Sequence, residues 1–220
     1  MKVEDKYLCY WNNYHREHKS VEFNMINSIN DFLSKNNLYS HNLNVLEFGI
    51  GDAKNLVKLA SIYDTVYACD VCDLAIKNAM QLNIKNTILV KNYFTELPLP
   101  SNHFDVIFIS RTLSTISSIN FLESTLNELK RISKENGYII ILDYCQSDKF
   151  LSSYSNCICK NQNISKLKPT WSSIPFLHFN EETIINLFLP FKKIDSFRIK
   201  ISTCNYNSDD GIAIIFKNEK

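Results

Sequence analysis

Glycine is scarce in this chain of 220 residues, which has only Gly49, Gly51, Gly137 and Gly211. Ordinary usage of about 7% would give roughly fifteen glycines. Two of the four lie one residue apart, directly after an apolar run at residues 45–48 and before a stretch of helical pattern. A strand that ends in closely spaced glycines and leads into a helix is typical of a nucleotide-binding turn. The turn around residues 49–51 is therefore the first candidate for a ligand site.

Long apolar runs are also missing. No run approaches the roughly 20 residues that a membrane-spanning helix needs, and residues 1–19 contain no apolar stretch suited to a secretory signal. We therefore expect no membrane association and a cytoplasmic location. The formal net charge is only +1, so the chain has no excess of basic residues to attract a polyanion, which argues against a nucleic-acid partner.

The seven cysteines are odd in number and scattered, and only Cys69 with Cys72 and Cys157 with Cys159 lie close together. Zinc sites usually need two matching cysteine pairs, or one pair with suitably spaced histidines. These two pairs are far apart and differently spaced, so we expect no metal site. Reduced thiols that pack as small apolar side chains are the favoured interpretation.

Apolar runs alternate with helical patterns through the middle of the chain. Such alternation, with each strand nearly all apolar, predicts a parallel sheet covered by helices on both faces. Residues 121–132 give the clearest amphipathic pattern, and Asn136 with Gly137 is expected to end that helix in a left-handed C-cap. The predicted strands are 43–48, 65–70, 87–90, 104–109 and 138–142, and the predicted helices are 21–33, 55–62, 73–81, 121–132 and 181–189.

Both ends of the chain and one internal segment depart from this alternation. Residues 1–40 open with a cluster of aromatic and imidazole side chains, which either docks on the domain or lines a ligand cleft. Residues 145–179 are rich in Ser, Asn and Lys and follow a strand end, where clefts of open sheets lie, so they form a candidate substrate lid or a surface insertion. Runs at 193–202 and 211–216 predict an antiparallel pair at the sheet edge. We expect one domain over residues 1–220.

Charged residues near the glycine turn restrict its ligand. Asp70 ends the second predicted strand, where a carboxylate accepts both hydroxyls of a ribose. A dinucleotide site would need a small residue at position 54, but the chain has Lys54. Glu47 would repel a pyrophosphate and suits an ammonium group. An adenosine with a zwitterionic tail, as in S-adenosylmethionine, fits these charges better than one with phosphates.

Four segments, taken together, resemble the class I S-adenosylmethionine-dependent methyltransferases over residues 43–144. They are VLEFGIGDAKNL, VYACDVCDLAIKNA, YFTELPLPSNHFDVIFISRTLSTI and LKRISKENGYIIILDY. The resemblance implies an α/β fold with a Rossmann-like, doubly wound sheet of seven strands, mostly parallel with an antiparallel last strand. It also implies S-adenosyl-L-methionine as cofactor and in-line methyl transfer to a small-molecule or peptide acceptor.

The resemblance further implies which residues would bind the cofactor. Those at the glycine turn would border the methionine end, Asp70 would hold the ribose, Val71 would lie under the adenine, and an aromatic group near the start would cover the ligand. The full set is Tyr10, Trp11, Tyr14, Glu47, Gly49, Gly51, Asp70, Val71, Asn92, Tyr93, Phe94, Ser110 and Arg111.

Three positions depart from the family pattern. Ala53 replaces the third glycine of the turn, Tyr93 replaces an acid near the adenine, and Ser114 replaces a histidine after the fourth strand. The last change removes the most obvious general base, although in-line methyl transfer needs little acid–base help when the acceptor is already nucleophilic. Candidate bases are His15, Asp143 and Tyr144, followed by His18 and His178.

Each candidate base has a plainer alternative, since Asp143 could cap a turn and the histidines could lie on the surface. Two other functions stay open at this point. The fold also hosts other adenosyl-cofactor transferases, and it can serve as a non-catalytic subunit that binds the cofactor or activates a partner.

Overall fold

A computed structural model describes residues 3–17, 25–92, 96–116, 118–144, 157–161, 164–167, 174–203 and 206–219. The helices are α1 (Val3–Glu17), α2 (Met25–Lys35), α3 (Lys54–Ala60), α4 (Asp73–Gln81), α5 (Ile119–Ile132) and α6 (Glu181–Leu187), with a 3-10 turn at Leu113–Thr115. The strands are β1 (Val45–Phe48), β2 (Val66–Asp70), β3 (Thr87–Lys91), β4 (Phe104–Ser110), β5 (Ser133–Tyr144), β6 (Cys157–Asn161), β7 (Ile164–Leu167), β8 (Phe176–Phe179), β9 (Lys192–Thr203) and β10 (Tyr206–Lys217).

Seven of the strands form one sheet in the order β3-β2-β1-β4-β5-β10-β9. Strands β1 to β5 pair in parallel, whereas β10 is antiparallel to both of its neighbours, β5 and β9. The predicted doubly wound α/β class with an antiparallel last strand is confirmed. Of the predicted closing pair, β9 forms the edge, and β10 lies inside the sheet.

Alternating side chains in each strand build two separate apolar layers. Val45 and Val106 face a core with α2, α3 and α4, while Leu46 and Ile107 face a second core with α5 and α6. Because both faces are covered, the strands need apolar residues at successive positions. Because β1 to β5 run parallel, they all end at one edge of the sheet. A doubly wound fold places its ligand at this edge.

The prediction that Asn136 and Gly137 end the amphipathic helix is wrong. The helix α5 ends at Ile132, and Ser133 already has an extended backbone and pairs with Phe104 of β4. Asn136 has the left-handed conformation, with φ 61°, and its N–H donates to the Asn218 carbonyl at 2.7 Å. Pairing with β4 and β10 thus converts the residues before Gly137 into strand, against the local turn signal.

Within residues 145–179, the described parts form a second, three-stranded sheet in the order β6-β7-β8, antiparallel throughout. Strand β8 is buried and packs against the 3-10 turn that follows β4. Residues 145–156, 162–163 and 168–173 lie outside the described residues, so the lid role of this segment stays a prediction, as does the single domain. Across the described ranges, no helix combines the length and hydropathy needed to cross a membrane.

Candidate functional site

The turn between β1 and α3 has three residues in the left-handed conformation, Gly49 (φ 80°), Gly51 (φ 52°) and Ala53 (φ 60°). The Gly49 N–H donates to the Cys69 carbonyl at 2.9 Å, which ties the turn to the end of β2. A Cβ atom at Gly49 would lie 2.3 Å from the Thr112 Oγ1 atom, closer than any real contact. The turn therefore requires glycine at position 49 for both conformation and space.

Asp70 lies at the end of β2, beside this turn, and is only 9% exposed. Its Oδ2 atom accepts the Gly51 N–H at 3.0 Å, and its Oδ1 atom accepts the Cys72 N–H at 2.8 Å. Burial raises the pKa of this carboxyl, against the lowering effect of the two N–H donors. Each carboxylate oxygen can accept more than one hydrogen bond, so the pair keeps capacity for two ligand hydroxyls.

Glu47 is the most deeply buried acid of the turn region, at 1% exposure in the middle of the sheet. Burial raises the pKa of this carboxyl well above its ordinary value, and the nearby carboxylates of Asp52 and Asp70 raise it further, while a hydrogen bond with Asn55 lowers it. Its Oε2 atom has no hydrogen-bond partner among the described residues. A buried acid in this state is suited to a cationic ligand group.

Two other buried polar atoms near the strand ends also lack a hydrogen-bond partner. The Asn92 Oδ1 and Ser110 Oγ atoms find none within the described part of the chain. Native structures satisfy most buried polar atoms, so a group of unsatisfied ones at one edge indicates a place for a ligand. All of these residues, with Glu47, belong to the set that the sequence predicts for cofactor binding.

Helix α1 lies across this edge of the sheet and covers it. The Asn12 Oδ1 atom accepts the Leu74 N–H at 3.3 Å and lies 3.3 Å from the Cys72 Sγ atom, which fixes α1 to the start of α4. The Tyr7 hydroxyl lies 3.4 Å from the Thr115 Oγ1 atom, which links α1 to the turn after β4. The helix thus bridges the ends of β2 and β4.

An aromatic cluster on α1 lies against the predicted adenine side. The Trp11 ring stacks on Phe176 with centroids 6.1 Å apart, and Tyr10 and Trp11 pack with Val71 around the same cluster. Tyr14 stacks with Tyr10, centroids 6.2 Å apart. The described contacts show this segment docked on the domain, and its lining of the site stays a prediction.

His15 lies over the glycine turn. A Cβ atom at Gly51 would be 3.6 Å from the His15 Cε1 atom. Burial lowers the pKa of this imidazole, while the carboxylates of Asp70 and Asp52 act in the opposite direction. The structure therefore groups His15 with the predicted cofactor residues.

The other two candidate bases lie at the end of β5. Asp143 is completely buried, and its carboxylate accepts the Ser114 N–H at 3.1 Å and the Tyr144 N–H at 2.8 Å. Burial raises the pKa of Asp143, and hydrogen bonds from Ser114 and the charge of Arg111 oppose that rise. Asp143 thus holds the 3-10 turn in place, which is the turn-capping alternative. His15 lies on α1 over the glycine turn, whereas Asp143 and Tyr144 lie at the end of β5.

Arg111 directly follows β4 and has a left-handed backbone, with φ 52°. Its N–H donates to the Leu142 carbonyl at 2.7 Å, which joins the ends of β4 and β5. A non-glycine residue held in this conformation stores strain, and such strain concentrates at functional sites. Tyr93, Phe94 and His18 from the sequence-based set lie outside the described residues. In the described ranges, no group of His, Cys, Asp and Glu side chains has a metal-binding arrangement.

Sequence reasoning missed Asn12, and it expected Thr112 to face the substrate without predicting its packing against Gly49. Asn12 anchors α1, and Thr112 fills the space that Gly49 leaves. Their roles depend on contacts with residues far along the chain, and nothing in the sequence separates Asn12 from its neighbour Asn13.

We predict that Asn12→Ala loosens α1, because two contacts with the start of α4 are lost. A lost hydrogen bond of about 1 kcal/mol corresponds to roughly fivefold faster amide exchange in α1, measured by hydrogen exchange. Asn13→Ala is the matched control, since the described contacts of its amide, with Cys9 and Arg16, are exposed and lie within α1. Equal exchange rates in the two variants would contradict the anchoring role.

Comparison with known families identifies the segment that carries this site. Residues 46–141 match the family model described as a methyltransferase domain, which spans β1 to β5. No curated protein sequence matches the chain.

Solved structures share the fold at low sequence identity. A SAM-dependent methyltransferase of Methanosarcina mazei matches with TM-score 0.75 and 17% identity, over 89% of this chain and 99% of that one. A SAM-dependent methyltransferase of Anabaena variabilis matches with TM-score 0.69 and 13% identity, over 99% and 96% of the two chains. The N-methyltransferase NodS of Bradyrhizobium japonicum, in complex with S-adenosyl-L-homocysteine, matches with TM-score 0.61 and 12% identity, over 99% and 97%. At these identities the likeness concerns the fold.

Proposed function

We propose that the chain is a class I S-adenosylmethionine-dependent methyltransferase, which the match of residues 46–141 to a methyltransferase domain supports, and that it methylates a small molecule or a peptide. Its cofactor is S-adenosyl-L-methionine, which supplies a methyl group on a positively charged sulfur. The observation that carries the proposal is a set of buried polar atoms at the strand ends, on Glu47, Asn92 and Ser110, that have no hydrogen-bond partner among the described residues. These are donors and acceptors that a polar, cationic ligand would satisfy.

The residues at the site fit the parts of this cofactor. Glu47 would hold the ammonium group, because the electrostatic attraction between a carboxylate and a cation is strongest where both are buried. Asp70 would hold the ribose hydroxyls with its remaining acceptor capacity. Val71 and Asn92, together with Tyr93 and Phe94, would border the adenine.

Residues on the other side would cover the cofactor and face the acceptor. We assign His15 to the cofactor, since it lies over the glycine turn and close to the carboxylates of Asp52 and Asp70. Tyr10, Trp11 and Tyr14 would exclude water from the site. A covered site strengthens electrostatic contacts and prevents hydrolysis of the reactive group.

Four residues remain for the acceptor side. Ser110 and Arg111 would lie beside the reacting sulfur, at the end of β4. Asp143 and Tyr144 stay candidate catalytic residues. The main role of Asp143 would be to hold in place the 3-10 turn that borders the acceptor. The same enclosed geometry would place acceptor and methyl donor in line, which supplies much of the acceleration in such transfers.

We predict that the purified protein binds S-adenosyl-L-methionine and that Asp70→Ala weakens binding by about 1–3 kcal/mol, because a charged hydrogen-bond acceptor is lost. Calorimetry measures both affinities. Asp73→Ala is the matched control, since Asp73 is an exposed acid that pairs with Lys91. Absence of binding by the unmutated protein would refute the proposed function.

A second measurement separates an enzyme from a binding subunit. The protein is incubated with cofactor labelled on the methyl group and with a fractionated cell extract. Label in a product, lost with Asp70→Ala, supports catalysis, whereas cofactor binding without any labelled product supports the non-catalytic alternative.

We also propose a cytoplasmic location, which agrees with the free thiols of Cys9, Cys69 and Cys72.

A further inference from the structure

The main sheet has two edge strands, β9 and β3, and they differ in charge. Strand β9 has exposed charged residues along most of its described length, and its pairing with β10 is interrupted by two register shifts. The charged residues are Lys192, Lys193, Asp195, Arg198 and Lys200. Charges and irregular pairing are features that keep an edge strand from adding further strands. The edge at β9 is therefore protected.

Strand β3, at the opposite edge, lacks these features. Its sequence, Thr-Ile-Leu-Val-Lys, has a single charged residue, Lys91, which pairs with Asp73. Its register with β2 runs without a shift from Thr87 to Lys91, and β2 is its one partner among the described strands. The edge at β3 is thus regular and mainly apolar.

Exposed apolar side chains concentrate beside this edge. Met80, Leu82 and Ile88 are 60%, 49% and 42% exposed, and they make up three of the seven large apolar side chains exposed on the described part of the chain. Met80 belongs to α4, which contacts β3, and Leu82 directly follows that helix. Apolar surface beside an open strand edge indicates a place where another chain binds.

The backbone of β3 directs alternate residues toward β2 and toward the open edge. The Asn86 carbonyl accepts the Val66 N–H of β2 at 3.0 Å. Successive residues of a strand point their N–H and C=O groups to opposite sides, so Ile88 also faces β2. The N–H and C=O groups of Thr87 and Leu89 therefore face the open edge, where they can pair with an added strand.

This arrangement fits a second copy of the same chain. When two β3 strands pair antiparallel about a two-fold axis at Leu89, the outward groups of the two Leu89 residues bond to each other. Ile88 then lies opposite Val90 of the second copy, and Thr87 lies opposite Lys91. The side chains of Ile88 and Val90 from both copies share one face of the sheet, and no two like charges lie opposite each other.

We propose that two copies of this chain associate through β3, which joins their seven-stranded sheets into one continuous sheet. The same strand contributes from both copies, so the contact closes as a dimer and does not propagate. The interface lies along the side of the sheet and not at the strand ends, where the ligand site is proposed. This inference therefore does not depend on the proposed methyl transfer.

Sedimentation equilibrium over a range of protein concentrations tests the association. We expect a monomer–dimer equilibrium, and we expect Ile88→Lys to weaken it by about tenfold or more, because two lysines would replace apolar contacts between the strands. Ile194→Lys is the matched control, since it makes the same substitution at an exposed isoleucine of the other edge strand, β9. It should associate as the unmutated protein does. Thermal unfolding checks that both variants are folded.

Disulfide cross-linking tests the register. Ile88→Cys and Val90→Cys are made separately, each with Cys9→Ser because Cys9 is an exposed free thiol, and are mixed under mild oxidation. Residues opposite each other in a pair without hydrogen bonds have Cα atoms about 4.5 Å apart, within the range of a disulfide, whereas diagonal neighbours are about 7–8 Å apart. The mixture should therefore form a covalent dimer faster than either variant alone.

Three outcomes would overturn the proposal. The first is a protein that stays monomeric at its highest soluble concentration, even if this edge binds a strand of a different protein. The second is a dimer that Ile88→Lys weakens no more than Ile194→Lys does. The third is a mixture that cross-links no faster than the separate cysteine variants, and this measurement decides the matter if Ile88→Lys does not fold.

Discussion

Replacing Glu47 with glutamine is expected to weaken S-adenosyl-L-methionine binding by about 10- to 100-fold, while making the ligand-free protein more stable at neutral pH. A hydrogen bond to a charged group contributes about 1.5–3 kcal/mol, and Glu47 offers a buried, unsatisfied carboxyl oxygen to the ammonium group. Without the ligand, the same carboxyl is costly to ionise, since burial and the charges of Asp52 and Asp70 all raise its pKa. Calorimetry measures the affinity, and thermal unfolding measures the stability.

The stability difference between wild type and Glu47→Gln should change with pH in a definite direction. The pKa of Glu47 is raised in the folded protein above its ordinary value of 4.5, so the folded state binds the proton more tightly than the unfolded state does. The stabilisation that comes from this bound proton is complete below about pH 4.5 and is lost as the pH rises through the folded-state pKa. We therefore expect the unfolding midpoints of wild type and Glu47→Gln to agree near pH 4 and to diverge toward neutral pH, by about 2–4 °C for each kcal/mol.

Glu128→Gln is the matched control for the stability change. Glu128 pairs with Arg131 at 2.7 Å, and the hydrogen bonds from that arginine lower its pKa. The same substitution there should reduce stability at neutral pH or leave it unchanged, and should not alter cofactor affinity. A Glu47→Gln variant that binds the cofactor as tightly as wild type would show that the ammonium group lies elsewhere.

Replacing Gly49 with alanine is expected to destabilise the protein by about 2–5 kcal/mol and to abolish measurable cofactor binding. The left-handed backbone costs about 1–2 kcal/mol for a residue with a Cβ atom, and overpacking against Thr112 adds about 1–3 kcal/mol. Relief of that overlap would displace the turn that ties β1 to β2. Denaturant unfolding gives the stability, and calorimetry gives the affinity.

Gly51→Ala is the matched control, because it adds the same methyl group in the same backbone region with ordinary contact to His15. It should cost only the conformational part, about 1–2 kcal/mol. Thr112→Ala should recover part of the loss in the Gly49→Ala protein, since it removes the atoms closest to the added Cβ. Equal costs at Gly49 and Gly51, with no recovery, would show that overlap with Thr112 is not the cause.

Much of the fold follows from local sequence pattern. The apolar runs of β1, β2, β4 and β5 need no partner to be recognised, and each is read from a few adjacent residues. The sequence pattern misplaces the start of β5, because pairing with β4 decides it while the local signal at Asn136 and Gly137 indicates a turn. The pattern does not predict the three-stranded sheet, since its described strands are short and lie among Ser and Asn residues.

The residues of the site divide in the same way, into those that local sequence predicts and those that only the folded structure brings into place. Glu47, the glycines and Asp70 lie at strand ends that sequence alone can order, so their proximity was predictable. Asn12 and His15 act from a helix whose docking depends on Cys72, Leu74 and Phe176, residues far away in the chain. No local pattern encodes that contact, and the place of His15 over the turn becomes visible only in three dimensions.

The interior position of β10 has a consequence for how the protein is made. Among the described strands, β9 pairs with β10 alone in the main sheet, and β5 exposes the whole edge of Ile139–Leu142 until β10 arrives. During synthesis, a nascent chain that has emerged as far as β9 therefore presents an open apolar strand edge to its neighbours. Asn218 then closes the assembly, because its backbone and side chain bond to residues 133–137 at the beginning of β5.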